Sequence, residues 1–175
     1  MSSSAPPTNY SPPEGTTDMD DLTIARMIHI LAIVCWIGGV AFATTVVIPS
    51  VKALPPSERL AAFDRIESRF APQARIWLLF AGASGLWMIQ RGGMWDRFGD
   101  LHFWWMHAML CVWSIFFVVL FIVEPVILRR RFEVWAARSP DGAFRLLHRA
   151  HILLLGLSLI TVIGAVAGSR GFSPF

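Results

Sequence analysis

The sequence predicts an all-α membrane protein: a bundle of four transmembrane helices, with a short amphipathic surface helix between the first and the second. Hydrophobic residues make up 55% of the 175 residues, and the mean hydropathy is +0.56. Four apolar stretches approach or exceed the ~20 residues that a helix needs to cross a bilayer. Lys and Arg concentrate at the ends of these stretches, so the net charge of +3 indicates membrane orientation and not nucleic-acid binding.

The chain opens with residues 1–21, which are rich in Ser, Pro and Thr. This composition buries too little apolar area to offset the entropy of ordering, so we expect a flexible N-terminal tail. The first span follows, from about Leu22 to Ile48. Apolar residues then recur at helical spacing after Ser57, the expected N-cap of the amphipathic surface helix. These apolar residues are Leu60, Phe63 and Ile66.

Three further spans complete the transmembrane domain, which we place at residues 22–168, with a short C-terminal tail at residues 169–175. They run from about Pro72 to Gln90, from Leu101 to Leu128, and from Ala143 to Ala167. Both cysteines, Cys35 and Cys111, lie inside apolar stretches. This placement indicates small core residues and argues against a disulfide framework.

The distribution of basic residues predicts how the chain is oriented. Short loops rich in Lys and Arg stay in the cytoplasm. The first and third inter-span loops carry most of the basic residues, whereas the second has only Arg91 and Arg97. We therefore expect a multi-pass protein of the bacterial inner membrane with both termini outside the cytoplasm.

Two histidines are placed to bind haem. The only ionisable residues between Met27 and Ser50 are His29 and Cys35, and a titratable group in hydrocarbon indicates function by default. His107 lies about as far into the third span as His29 lies into the first, roughly 8 to 10 Å below the outer end. Two imidazoles at one level are the axial ligands of a b-type haem, and Arg26 is the expected partner of a propionate. The alternatives are a metal ion on the same pair and, for each histidine alone, a hydrogen bond to a neighbouring helix.

A second group of polar residues is expected toward the inner side, where it forms a possible second site. His148 and His151 share one face of the fourth span, so they cannot occupy opposite axial positions of one haem. Glu124 lies in apolar sequence, where it must be paired or protonated, and Arg75 belongs to the same cluster. Three interpretations stay open: a second haem completed by another ligand, a proton path or quinone-headgroup site, and a structural salt bridge.

Three short motifs, in the same order and spacing, resemble those of the HemJ-type protoporphyrinogen oxidases and the related CopD-like membrane domains. The first is His, six residues, Trp, one residue and Gly; the second is Gly-Leu-Trp; the third is Trp-Leu-His. The resemblance covers about Leu22 to Gly168. The matching residues are His29, Trp36 and Gly38, then Gly85-Leu86-Trp87, then Trp105-Met106-His107.

The resemblance implies a small four-helix membrane protein that binds haem b and passes electrons from a porphyrinogen substrate to the respiratory chain through quinone. It implies His29 as an axial ligand and His107 as the second histidine of the site, with Trp36 and Gly38 in the same cofactor-binding motif. The family lysine two positions after the third-helix histidine is Met109 here. The Asn-Glu-Val-Pro of the fourth helix is replaced by residues 148–151. These departures argue against porphyrinogen oxidation and leave the haem site in place.

The residues and the resemblance together predict a haem b-binding integral membrane redox protein that transfers electrons. One alternative is a CopD-like copper or small-solute transport protein, although the spans carry no Met-rich or Cys-rich motif of the kind Cu(I) favours. The other is a non-catalytic subunit of a larger membrane complex. The sequence does not fix the oligomeric state, although a homodimer or a larger membrane complex would cover a haem better than the thin shell that four helices form.

Overall fold

The computed structural model describes residues 15–171, and for residues 15–20 and 126–130 it describes the backbone alone. Within these limits the chain is helical, without a strand. The α-helices are α1 (Gly15–Phe42), α2 (Ile48–Ala53), α3 (Pro56–Arg91), α4 (Trp104–Val118), α5 (Arg129–Arg138) and α6 (Pro140–Gly168). Two π-helical segments join neighbouring helices: π1 (Ala43–Val47) and π2 (Val119–Leu128). Two 3-10 turns precede α4: Trp95–Gly99 and Leu101–Phe103.

Three helical stretches of the described chain are long and apolar enough to cross a membrane, as in a multi-pass membrane protein. They are Asp21–Ala53, Leu101–Pro125 and Pro140–Gly168. Helix α3 is not among them, because polar side chains lie at both ends of its apolar half and shorten the apolar run. These polar residues include Gln73, Arg75 and Gln90.

Helix α1 begins at Gly15, so it includes the last residues of the predicted N-terminal tail. The rest of the two predicted tails, residues 1–14 and 172–175, lies outside the described residues.

Helices α1, α3 and α4 meet in the hydrophobic core. Helix α1 packs chiefly against α3, and α4 packs chiefly against α6. Small side chains at Ala32 and Ala81 are fully or almost fully buried there, and small residues let two membrane helices approach closely. The buried members of the core cluster are Ala32, Trp36, Ile37, Val40, Leu78, Ala81, Val112 and Phe116.

Helix α3 corrects two expectations about the region after the first span. The amphipathic helix and the predicted second span form one continuous helix that passes through Pro72. Its buried stripe, residues 71, 74, 78, 81 and 84, keeps helical spacing beyond that proline, so packing against α1 sustains the helix where the local sequence favours a break. Ser57 is not the N-cap: Pro55 occupies that position and Pro56 begins the helix.

The predicted third span consists of three types of helix in succession: 3-10, α and π. A 3-10 turn precedes α4, and α4 continues into π2, which contains Glu124 and Pro125. A proline inside a helix has no N–H to donate to the preceding turn, and helices adjust locally around it. Cys111 on α4 is exposed, which corrects the expectation that it is a core residue. Cys35 on α1 is half-buried.

Candidate functional site

His29 joins α1 to α3 through one of its two ring nitrogens. Its Nδ1 lies 2.9 Å from the carbonyl oxygen of Ala81 and 3.1 Å from Oγ of Ser84. A carbonyl oxygen only accepts, so Nδ1 carries the hydrogen and donates to Ala81. In the neutral ring Nε2 then carries no hydrogen, and its lone pair can accept a hydrogen bond or bind a metal ion. The described part of the chain provides no hydrogen-bond partner for it.

Two residues of α3 orient the His29 ring. The Ser84 hydroxyl is buried and lies within hydrogen-bond distance of the carbonyl oxygens of Phe80 and Ala81. A Cβ atom on Gly85 would lie only 3.2 Å from Cε1 of His29, so a glycine lets the ring lie flush against the helix. Gly85 is also the first residue of the second motif, which therefore contacts the histidine of the first motif.

His107 has different partners. Its Nε2 lies 3.0 Å from the carbonyl oxygen of Phe98, and its Nδ1 lies 3.3 Å from the carbonyl oxygen of Phe103. The Phe98 ring also packs edge-on against the imidazole, with ring centroids 5.5 Å apart. Both ring nitrogens therefore face carbonyl oxygens, and His107 ties the two 3-10 turns before α4 onto that helix.

The contacts of the two histidines therefore lie on separate elements. His29 contacts α3, whereas His107 contacts the two 3-10 turns that precede its own helix. No described hydrogen bond or ring contact joins the two imidazoles, so their pairing across one haem stays a prediction. In the part of the chain that the structure describes, no group of three or more His, Cys, Asp or Glu side chains could hold a metal ion.

The other predicted cofactor-binding residues lie in different environments. Arg26 is exposed on α1. Trp36 is 3% exposed and packs edge-to-face with Phe116, with ring centroids 4.9 Å apart. Gly38 is exposed, and a Cβ atom there would meet nothing within 4 Å. The close approach occurs at the next residue, Gly39, where a Cβ atom would lie 2.9 Å from the ring of Phe70.

The predicted second polar site contains an ion pair and two separately bonded histidines. Nη2 of Arg75 lies 3.0 Å from both carboxylate oxygens of Glu124, and Nε of Arg75 donates to the Leu120 carbonyl. His148 Nε2 lies 3.0 Å from the carbonyl oxygen of Thr44 in π1. His151 Nδ1 lies 3.0 Å from the carbonyl oxygen of its own-helix residue Leu147. The partners of these residues are thus contributed by four different elements: α3, α6, π1 and π2.

Several of these partners escape sequence reasoning. Ala81 and Ser84 are 52 and 55 residues from His29, and backbone carbonyls such as that of Phe98 have no sequence signal at all. A serine beside a glycine in an apolar helix does indicate a polar close approach. Ser84-Gly85 is the one signal that could have identified the partner of His29.

No protein-family model, curated protein or solved structure matches this chain. The resemblance to HemJ-type and CopD-like proteins therefore rests on the residues of the three motifs.

Proposed function

We propose that this protein is a haem b-binding integral membrane redox protein in which His29 is an axial ligand of the haem iron. The single observation that carries this proposal is the hydrogen bond from Nδ1 of His29 to the Ala81 carbonyl. Histidines that bind metals typically donate their other ring N–H to a carbonyl or a carboxylate. That bond holds the tautomer in which Nε2 is free to bind iron.

The residues around His29 fit one axial ligand. Ser84 and Gly85 restrict how the ring can turn, and the half-buried imidazole lies in an apolar span, where a titratable group is costly without a function. A bound haem would supply reversible one-electron chemistry at this position. The protein would supply the ligand, its orientation and the exclusion of water.

The proposed haem has either one histidine ligand or two, and the role of His107 distinguishes these alternatives. As a second axial ligand through Nε2, His107 would first have to release the Phe98 carbonyl. A six-coordinate bis-histidine haem favours electron transfer, whereas an open sixth position favours oxidase or dehydrogenase chemistry. The observed Nε2 bond supports the open position, with His29 as the single protein ligand.

We propose four membrane crossings, with residues 72–90 of α3 as the second. Ala81 and Ser84 contact His29, so this part of α3 lies at the same depth as an apolar span. The orientation with both termini outside the cytoplasm, in a bacterial inner membrane, is supported by the basic loops after the first and third spans.

Haem content tests the proposal. The full chain is expressed with haem precursor, purified, and assayed for protein-bound haem by absorbance and pyridine haemochrome analysis. We expect His29→Ala to lose most of its haem because the iron loses its ligand. His148→Ala is the matched control, since His148 is also half-buried and also has one hydrogen bond to a carbonyl of another element.

Three outcomes would reject the assignment. They are equal haem content in the two variants, no Soret absorbance in the unsubstituted protein, and copper without porphyrin on elemental analysis, which would favour metal transport. If a variant and the unsubstituted protein have matching size-exclusion profiles, misfolding is excluded as the cause of a loss of haem. His107→Ala then distinguishes one histidine ligand from two, because it converts a bis-histidine low-spin spectrum to a high-spin one and leaves an already five-coordinate haem unchanged.

A further inference from the structure

A cavity of about 170 Å³ lies between the two π-helical segments, and neither His29 nor His107 lines it. Residues of π1 and π2 contribute to its wall, as do α1, α3, α5 and α6. π-Helical turns inside membrane or soluble helices are frequent at functional sites. An apolar cavity of about 150 Å³ is enough to bind benzene, so this one accommodates a single six-membered ring.

The wall of the cavity is mostly apolar, and its charged side chains have one sign. Aromatic rings from four helices, among them Trp36, Phe70 and Phe116, form much of it. The described lining includes Glu124 and other acidic residues but no Lys or Arg. Arg75 holds Glu124 from outside this lining. The apolar and aromatic wall therefore favours a neutral ring.

His151 gives this cavity a specific hydrogen-bonding group. Its half-buried ring lines the cavity, and its Nδ1 lies 3.0 Å from the Leu147 carbonyl oxygen. Because a carbonyl only accepts, Nδ1 carries the hydrogen and Nε2 is an acceptor. No hydrogen bond to Nε2 is found among the residues that the structure describes. The buried Nε1 of Trp36, on the same lining, is a donor without an acceptor in the described chain.

We propose that this cavity binds a neutral, ring-sized phenol whose hydroxyl group donates a hydrogen bond to Nε2 of His151. A hydroxyl matches an acceptor without adding a charge, and the aromatic wall matches the ring. A free phenol and the headgroup of a lipid-borne hydroquinone present this same chemistry. Binding here requires no haem at His29, so this inference can be tested independently of the proposed function.

Ligand-observed ¹⁹F NMR on the purified full chain in detergent tests this site. The probes are 4-(trifluoromethyl)phenol and (trifluoromethyl)benzene, which lacks the hydroxyl, and protein-free micelles correct for partitioning. We expect the phenol to bind about tenfold more tightly, the effect of one hydrogen bond that is made in place of none. In His151→Phe the two affinities become equal. His102→Phe, at an exposed position before α4, retains the preference.

Two further variants keep the test decisive if His151→Phe folds poorly. His151→Gln retains a side-chain acceptor and is expected to keep part of the preference. Ala74→Leu, which places a larger side chain in the lining, is expected to weaken both probes. Equal affinities in the unsubstituted protein, an unchanged preference in His151→Phe, or phenol binding unaffected by Ala74→Leu would each overturn the proposal.

A hydroquinone carrying one prenyl unit identifies the source of the ring. Affinity above that of the unprenylated hydroquinone, after correction for micelle partitioning, assigns the cavity to a lipid-borne headgroup. Equal corrected affinities assign it to a free phenol. Either result supports the site, and failure of both hydroquinones to compete with the fluorinated phenol contradicts it.

Discussion

Glu124→Ala removes the carboxylate that neutralises Arg75 in the apolar part of the molecule. Both oxygens of Glu124 lie 3.0 Å from one guanidinium nitrogen, and the Glu124 side chain is 17% exposed and that of Arg75 30%. Without Glu124 the guanidinium keeps, among the described contacts, only its bond to the Leu120 carbonyl. An uncompensated charge then remains in a poorly solvated position.

The expected loss follows from this partial burial. Breaking a fully buried ion pair costs about 3–5 kcal/mol, because the remaining charge is desolvated. Since roughly a third of the Arg75 side chain remains exposed, we expect Glu124→Ala to lower the free energy of unfolding by about 2–3 kcal/mol. Replacing both residues with Leu should recover most of this loss, since no unpaired charge is left.

Reversible unfolding in mixed micelles measures this effect, with a double-mutant cycle of Arg75→Leu and Glu124→Leu. The matched comparison is the ion pair of Arg59 with Asp141, because the Asp141 side chain is 70% exposed. Asp141→Ala should cost much less than Glu124→Ala. Equal costs for the two substitutions, or a double variant no more stable than the Glu124 single variant, would refute the reasoning from burial.

Two further predictions concern packing and topology. Gly164→Ala on α6 places a Cβ atom less than 3.0 Å from atoms of the Trp104 ring and should destabilise the protein by about 1–3 kcal/mol through overpacking. Gly156→Ala on the same helix is the control, because its Cβ atom meets nothing within 4 Å. Thermal unfolding should separate the two variants, and equal stabilities would contradict the packing of Trp104 on Gly164. Single cysteines are introduced at Ser57 and Ser139 in a Cys35→Ala/Cys111→Ala background. They should react with an impermeant maleimide only after the inner membrane is opened. Labelling of either cysteine in intact spheroplasts would contradict the orientation with both termini outside the cytoplasm.

The spans with a strong apolar pattern were predictable from sequence, because hydropathy depends on composition alone. This holds for α1, α4 and α6, whose apolar windows contain few charges. The course of helix α3 was harder to predict from the sequence. The sequence predicts a break before Pro72, whereas burial of Ala71 and Ala74 on either side of that proline keeps the helix continuous. Tertiary packing overrides local preference there.

The surroundings of His29 and His107 were predictable only in part, because their contacts also depend on tertiary packing. His29 stands out because it is a polar residue in an apolar stretch, but its hydrogen-bond partners lie on another helix. The predicted depth of His107 stays a prediction, and the Phe98 carbonyl that contacts its Nε2 belongs to a turn with no distinctive sequence pattern. The π-helical segments have no reliable local signature either, since their geometry depends on neighbours such as His148, which bonds to Thr44.

The continuity of α3 has a mechanical consequence. Thirty-six residues at 1.5 Å each form a rod of about 54 Å, longer than the roughly 30 Å hydrocarbon layer. Near one end Ser84 contacts His29, and near the other Arg59 contacts Asp141 at the start of α6. Because a continuous helix moves as one body, an axial shift of α3 against α1 at His29 would also move Arg59 relative to Asp141.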